Sequence, residues 1–144
     1  MRLWHQSLIH YLPNKQLLGQ HRECCALRGK GWGKKHSVVN YVFKYGLDHL
    51  YAYHLLVMTE MNKRGYVATP NWYDRTYRGQ HMSNASLNVV GCYVCYDDLY
   101  DIIYPEHNNN YLRECLLNLK SKHAELTNGK TIEQMLVELD LKVA

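Results

Sequence analysis

The sequence predicts a mainly α, compact single-domain helical fold with long loops. Apolar residues recur at helical spacing in several segments, and helix start and stop signals flank those segments. The chain has 144 residues, 47% of them hydrophobic, which is enough to build one buried core. No internal repeat or low-complexity linker interrupts it, so we expect residues 1–144 to form one domain.

The first predicted helix runs from Leu12 to Arg28. Pro13 suits its first position because a missing N–H costs nothing there, and glycines from Gly29 onward end it. At about 100° per residue, most leucines and cysteines fall on one side, and Glu23 falls on the opposite side among small or neutral groups. This carboxylate is therefore either a surface charge or a chemical group presented to a partner.

Further helices follow along the chain. The longest periodic segment, Leu47 to Arg64, is predicted to be the central core helix. Tyr111 to Glu125 is also predicted to be helical, and a capping box beginning at Thr131 opens a last short helix through Leu139. Residues 37–44 contain β-branched side chains and stay undecided between strand and helix.

The distribution of charge indicates a polyanionic partner on one side of the molecule. The net charge is +4, but residues 1–94 hold 12 lysines and arginines against 4 acidic residues, whereas residues 95–144 hold 5 against 9. No secretory signal precedes the five cysteines and no long apolar run is present, so we expect a cytoplasmic protein without membrane contact.

Two segments combine cations with features typical of nucleic-acid surfaces. The loop from Arg28 to His36 alternates glycine with basic residues, and glycine allows close backbone approach to phosphates. The segment from Pro70 to His81 interleaves arginine with aromatic rings on which bases could stack. Both patterns are also compatible with ordinary solvated loops.

The start of the chain offers a second reactive group. Arg2 is large, so we expect the initiator Met1 to be retained with its α-amine as the N-terminus. An α-amine has a reference pKa of about 7.7–8.0, against about 10.4 for lysine, and is therefore the easier amine nucleophile at neutral pH.

Three stretches carry a resemblance to a known family. The first is residues 12–36, with the core Leu-Leu-Gly-Gln-His-Arg-Glu and a later Lys-Lys-His. The second is the helix end from Met61 to Tyr66, and the third is the proline turn from Tyr104 to His107. Together they make the chain similar to the pyrimidine-dimer DNA glycosylases of the phage repair-endonuclease type. The Arg22-Glu23 dipeptide is the most specific of these elements.

The resemblance implies a DNA repair enzyme with N-glycosylase and abasic-site lyase activity on double-stranded DNA carrying a lesion. It implies that the Met1 α-amine attacks C1′ and forms an imine, that Glu23 assists proton removal from C2′, and that β-elimination then breaks the strand. Arg22 would hold the phosphate beside the lesion, and no cofactor or metal is expected. The predicted DNA-contact residues are Arg2, Gln16, Gln20, Lys34, Lys35, His36, Trp72, Arg75 and Arg78.

The sequence departs from the family pattern at three places. Met1 is bulkier than the small first residue of family members, Gln16 stands where the phage-type enzyme has a histidine, and the family's aromatic-basic C-terminal tail is absent. A glycosylase or lyase for a different lesion is therefore an alternative, as is a non-catalytic basic nucleic-acid-binding module. We expect a monomer.

A zinc module is the last alternative. Its ligands would come from His21, Cys24, Cys25, Cys92 and Cys95. Because Cys24 and Cys25 are adjacent, one of the two chelating pairs that zinc modules use is missing. His54, on the apolar side of the predicted Leu47 to Arg64 helix, is expected to be a core residue rather than a metal ligand.

Overall fold

The computed structural model describes residues 2–35, 38–85 and 102–143, and within them it confirms the mainly α fold. It contains four α-helices and three short 3₁₀ helices, and no strand occurs in these three ranges. The helices are α1 (Asn14–Arg28), α2 (Leu47–Lys63), α3 (Asn109–Ser121) and α4 (Ile132–Val143), with 3₁₀ turns at Gln6–Leu8, Asn40–Lys44 and Pro70–Tyr73. None of these helices is long and apolar enough to cross a membrane.

The first two helices lie where the sequence predicts them. Pro13 caps α1 from just outside it, and the N–H of Gly29 closes its other end on the carbonyls of the last turn. The central helix α2 is confirmed to within one residue at its end. The undecided segment forms a 3₁₀ helix over Asn40–Lys44.

The two C-terminal helices differ from the prediction in length. Helix α3 ends at Ser121 rather than Glu125, because His123 adopts a left-handed conformation with φ 55° and turns the chain. The capping box of α4 is confirmed: the Thr131 hydroxyl accepts from the Gln134 amide at 3.1 Å, and the Gln134 side chain accepts from the Thr131 amide at 2.9 Å. Helix α4 then continues past Leu139.

The N-terminal segment is part of the hydrophobic core. Four of its apolar residues are fully buried: Leu3, Leu8, Ile9 and Leu12. Tyr53, in the middle of α2, donates its hydroxyl hydrogen bond to the Trp4 carbonyl at 2.6 Å. Tyr111 of α3 donates to the carbonyl of Leu3. The start of the chain is therefore fixed to both α2 and α3.

Arg28, the last residue of α1, anchors the loop that follows α2. Its guanidinium is buried and donates to Nδ1 of His54 on α2 at 2.9 Å. It also donates to three carbonyl oxygens of the loop, those of Trp72 (2.8 Å), Asp74 (2.8 Å) and Tyr77 (3.2 Å). One side chain thus joins α1, α2 and residues 72–77.

Substituting Arg28 with alanine should lower the free energy of unfolding by about 3 kcal/mol, since the buried His54 and three partly buried carbonyls lose a charged donor. Lys30→Ala, at an exposed position two residues on, is the matched control and should leave stability nearly unchanged. Urea denaturation of both variants measures the difference. Equal unfolding midpoints would contradict the anchoring role.

Candidate active site

Glu23 is bonded to the beginning of the chain. It lies half-buried on α1, and its Oε2 accepts a hydrogen bond from the backbone amide of Arg2 at 3.0 Å. A carboxylate accepting from a backbone N–H forms a charge-assisted bond, stronger than a neutral one. The carboxylate singled out by the sequence therefore lies one residue from the predicted nucleophile, although Met1 itself lies outside the described residues.

Gln20, one turn before Glu23, holds the next two residues of the same segment. Its Oε1 accepts from the Trp4 amide at 2.7 Å and from the Tyr53 hydroxyl at 2.8 Å, and its Nε2 donates to the Arg2 carbonyl at 3.0 Å. The side chain is 1% exposed, and a buried amide with these bonds is well satisfied. Gln20 thus fixes residues 2–4 against α1.

The prediction that the Glu23 side of α1 is the exposed side is wrong. The sequence places Glu23 on a polar side opposite the buried one. However, Gln20 and Leu27, on the Glu23 side, are only 1% and 2% exposed. The reason is that the N-terminal segment packs against this side of α1, so the helix is covered on both sides and Glu23 lies at the edge of the covered region.

A cavity of about 370 Å³ opens beside Glu23. It brings together five predicted site residues, namely Arg2, Gln16, Gln20, Arg22 and Glu23. Sequence reasoning missed its other lining residues, which are Trp4, Lys15, Gly19, Val38, Asn118 and Lys122. Asn118 and Lys122 come from α3 and its C-cap, nearly 100 residues along the chain, so no local pattern could have indicated them.

Gly19 and Arg22 line the same part of the cavity. Gly19 lies inside α1, where glycine costs about 1 kcal/mol relative to alanine. A Cβ at this position would lie 3.8 Å from Nη2 of Arg22. Arg22 is exposed at the cavity rim, so its guanidinium is placed to meet an anion entering the cavity.

Trp4 forms an aromatic platform under two of the cations. The guanidinium carbon of Arg2 lies 5.9 Å from the ring centre of Trp4 and 5.8 Å from that of Tyr111. The Nζ of Lys122 lies 5.3 Å from the Trp4 ring centre. These distances are those of cation–π contacts, and they place Lys122 beside the residues that Gln20 holds.

The other predicted DNA-contact residues that the structure describes are not among the residues that line this cavity. Lys34 and Lys35 are exposed after the end of α1, and His36 lies outside the described residues. Arg78 donates from Nε to the Arg28 carbonyl at 2.8 Å. The structure therefore gives Arg78 a bond at the C-terminal end of α1.

The aromatic-arginine segment packs against the same end of α1. The Trp72 ring centre is 5.0 Å from the guanidinium carbon of Arg28, and Arg75 is half-buried nearby in the sequence. DNA contact by Trp72, Arg75 and Arg78 stays a prediction.

A cluster of possible metal ligands lies on the other side of α1. Ligand atoms of His21, Cys25 and His54 all lie within 4.8 Å of one another, and Nδ1 of His21 is 2.8 Å from Nε2 of His54. Cys24 is fully buried instead, and Cys92 and Cys95 lie outside the described residues. The cluster thus differs from the ligand set considered from the sequence.

The hydrogen bond from Arg28 to His54 determines which ring nitrogen of His54 carries the proton. An arginine N–H only donates, so Nδ1 of His54 must accept and the proton of the neutral ring lies on Nε2. Burial, with Arg28 and His21 beside it, holds the pKa of His54 well below its ordinary value. Burial likewise raises the pKa of the Cys25 thiol to about 11. The cluster is a hydrogen-bonded group with a protonated Nε2 where a metal would bind.

Comparison with known families gives one match. The family model described as pyrimidine dimer DNA glycosylase matches residues 1–74 of the chain. The chain belongs to this family. It is accordingly assigned to a group of DNA repair glycosylases, whose substrate is DNA. No curated protein and no solved structure matches the chain.

The residues matched by the pyrimidine dimer DNA glycosylase family include both Glu23 and the N-terminal segment to which it is hydrogen-bonded. They include the N-terminal segment, α1 and α2, and therefore Gln20, Tyr53 and the Arg2–Glu23 hydrogen bond. The cavity wall supplied by Asn118 and Lys122 lies beyond the matched residues.

Zinc should not bind stoichiometrically at the His21 cluster, because the donor Arg28 fixes a tautomer of His54 whose Nε2 has no free lone pair. Isothermal titration of the protein with Zn²⁺ measures this, with His21→Ala as the control variant. One equivalent of zinc bound by the unmodified protein and lost in His21→Ala would contradict the assignment.

Proposed function

We propose that the protein breaks the bond between C1′ and one base of pyrimidine-dimer-type lesions, a step called base release below, and then cleaves the strand as an abasic-site lyase. The hydrogen bond between the Arg2 amide and Glu23 carries this proposal, because it ties the start of the chain to a carboxylate in a cation-lined cavity. The nucleophile in the proposal is the α-amine of Met1.

Covalent geometry supports the pairing of amine and carboxylate. The α-nitrogen of residue 1 is three bonds from the Arg2 amide nitrogen, and ordinary bond lengths keep the two within about 4 Å. Glu23 accepts from that amide at 3.0 Å, and in the proposal the α-amine of Met1 comes within direct or one-water reach of the same carboxylate. This is the separation at which a carboxylate can exchange protons with an amine or its adduct.

The proposed reaction has two stages. The α-amine attacks C1′, the bond from C1′ to the base breaks with its electron pair on the leaving base, and the sugar opens to an imine. The Glu23 carboxylate then takes a proton from C2′, and the electrons expel the 3′ phosphate by β-elimination. Hydrolysis of the imine returns the free amine, so the steps require no cofactor.

The cations around the cavity supply the attraction for DNA. In the proposal, Arg22 binds the phosphate beside the lesion, since an exposed guanidinium suits bidentate phosphate contact. Arg2 and Gln20 both border the cavity, and Gln20 also holds the N-terminal segment through its hydrogen bond to the Arg2 carbonyl. Gln16, Lys34, Lys35, His36, Trp72, Arg75 and Arg78 complete the proposed DNA contacts.

The proposal takes the protein as a monomeric, cytoplasmic enzyme of one domain spanning residues 1–144. A different lesion is the alternative substrate, since Met1 is a bulkier first residue than family members use. Cleavage of both dimer-containing and simple abasic duplexes would indicate the proposed dimer glycosylase. Cleavage of the abasic duplex alone would indicate a lyase, or a glycosylase for a different lesion.

Borohydride reduction during incubation with an abasic duplex should trap a covalent adduct at Met1, because reduction converts the imine into a stable amine. Glu23→Gln should lower strand cleavage by about 100-fold or more, which is the usual contribution of a positioned acid–base group. Gel analysis of cleavage and peptide mapping of the adduct measure these outcomes.

Glu125→Gln, at an exposed position, is the matched control and should cleave like the unmodified protein. An adduct at an internal lysine, or no adduct at all, would contradict the mechanism. Salt-dependent DNA binding that is indifferent to Glu23→Gln, without any cleavage, would identify a binding module instead.

A further inference from the structure

The leaving base needs a proton, and the cavity contains few groups that can give one. Among the described residues, the cations that line it are Arg2, Lys15, Arg22 and Lys122. Guanidinium groups keep their protons in proteins, whereas a lysine ammonium can donate one. Of these four described cations, only Lys15 and Lys122 can therefore donate a proton to a base.

The two lysines differ in their position relative to the reacting end of the chain. Lys15 lies in the first turn of α1, eight residues before Glu23 and thus about 12 Å along the helix axis. Lys122 caps α3, and its Nζ lies over Trp4, whose amide Gln20 holds. Lys122 is therefore the lysine whose amine lies next to the N-terminal segment.

We propose that Lys122 is a further catalytic residue, which protonates the base as it leaves. This inference rests on the proposed function. As the bond from C1′ to the base breaks, its electron pair goes to the base and the Lys122 ammonium gives the base a proton. The neutral amine of Lys122 then regains a proton from water, so the group is unchanged over the reaction.

This assignment divides the proton transfers between two sides of the cavity. Lys122 acts from the α3 side when the base departs, and Glu23 acts from α1 in the later elimination. A preformed abasic site has already lost its base. Its cleavage therefore depends on Glu23 and is independent of proton donation by Lys122.

The test compares Lys122→Arg and Lys122→Gln with the matched pair Lys15→Arg and Lys15→Gln. Arginine retains the positive charge and the contact with Trp4, but it gives up no proton. Single-turnover rates are measured at saturating protein on two duplexes, one with a pyrimidine dimer and one with an abasic site. Lys122 is exposed, so thermal unfolding should show the variants folded.

Both Lys122 variants should lose about 100-fold or more in the rate of base release and keep the rate of cleavage at the abasic site. Any loss in the Lys15 variants should be equal on the two duplexes, because Lys15 borders the cavity but takes no part in proton donation. Base release restored by Lys122→Arg would show a role for charge alone and overturn proton donation, as would equal losses on the two duplexes. Absence of base release by the unmodified protein would overturn the proposed function and this assignment with it.

Discussion

The hydrogen bonds between α1 and residues 2–4 are the constraint on which the rest of the site depends. A chain terminus ordinarily frays, because few contacts offset the conformational entropy that ordering it costs. Here Glu23 binds the Arg2 amide, while Gln20 binds both the Arg2 carbonyl and the Trp4 amide. Two side chains one helical turn apart thus give the N-terminal segment a fixed position.

The surrounding core reinforces this position. Leu3 is fully buried, and the Tyr53 hydroxyl of α2 lies within hydrogen-bond distance of both the Trp4 carbonyl and the Gln20 side chain, which share its one hydrogen. A polar pair such as Gln20 and Tyr53 is costly to bury unless its groups are satisfied. Since the backbone of residues 2–4 satisfies them, ordering the N-terminal segment and burying this polar pair are mutually dependent.

Periodicity and capping signals were sufficient to predict the helices. The apolar repeat of α2 and the Thr131 capping box both correspond to real elements. The end of α3 was predicted too late, because its stop depends on a left-handed His123 rather than on glycine or proline. Backbone conformation of this kind has no dependable signature in a histidine.

The candidate site was only partly accessible from sequence. The family resemblance singled out Glu23, which the structure brings to the start of the chain. The burial of Gln20 and the approach of Lys122 depend on contacts with residues distant in sequence, so local patterns did not indicate them. At Trp72 a sequence pattern is present but ambiguous. Arginine interleaved with aromatic rings occurs both in loops that contact DNA and in loops packed around a buried side chain, as this one is around Arg28.

The central claim is that Glu23 holds the start of the chain, and NMR of the Arg2 amide during a pH titration tests it most directly. In the unmodified protein, the amide proton should shift as the Glu23 carboxylate is protonated, because its charge-assisted hydrogen bond weakens. In Glu23→Gln this shift should disappear. An Arg2 amide that is unaffected by both changes would contradict the account.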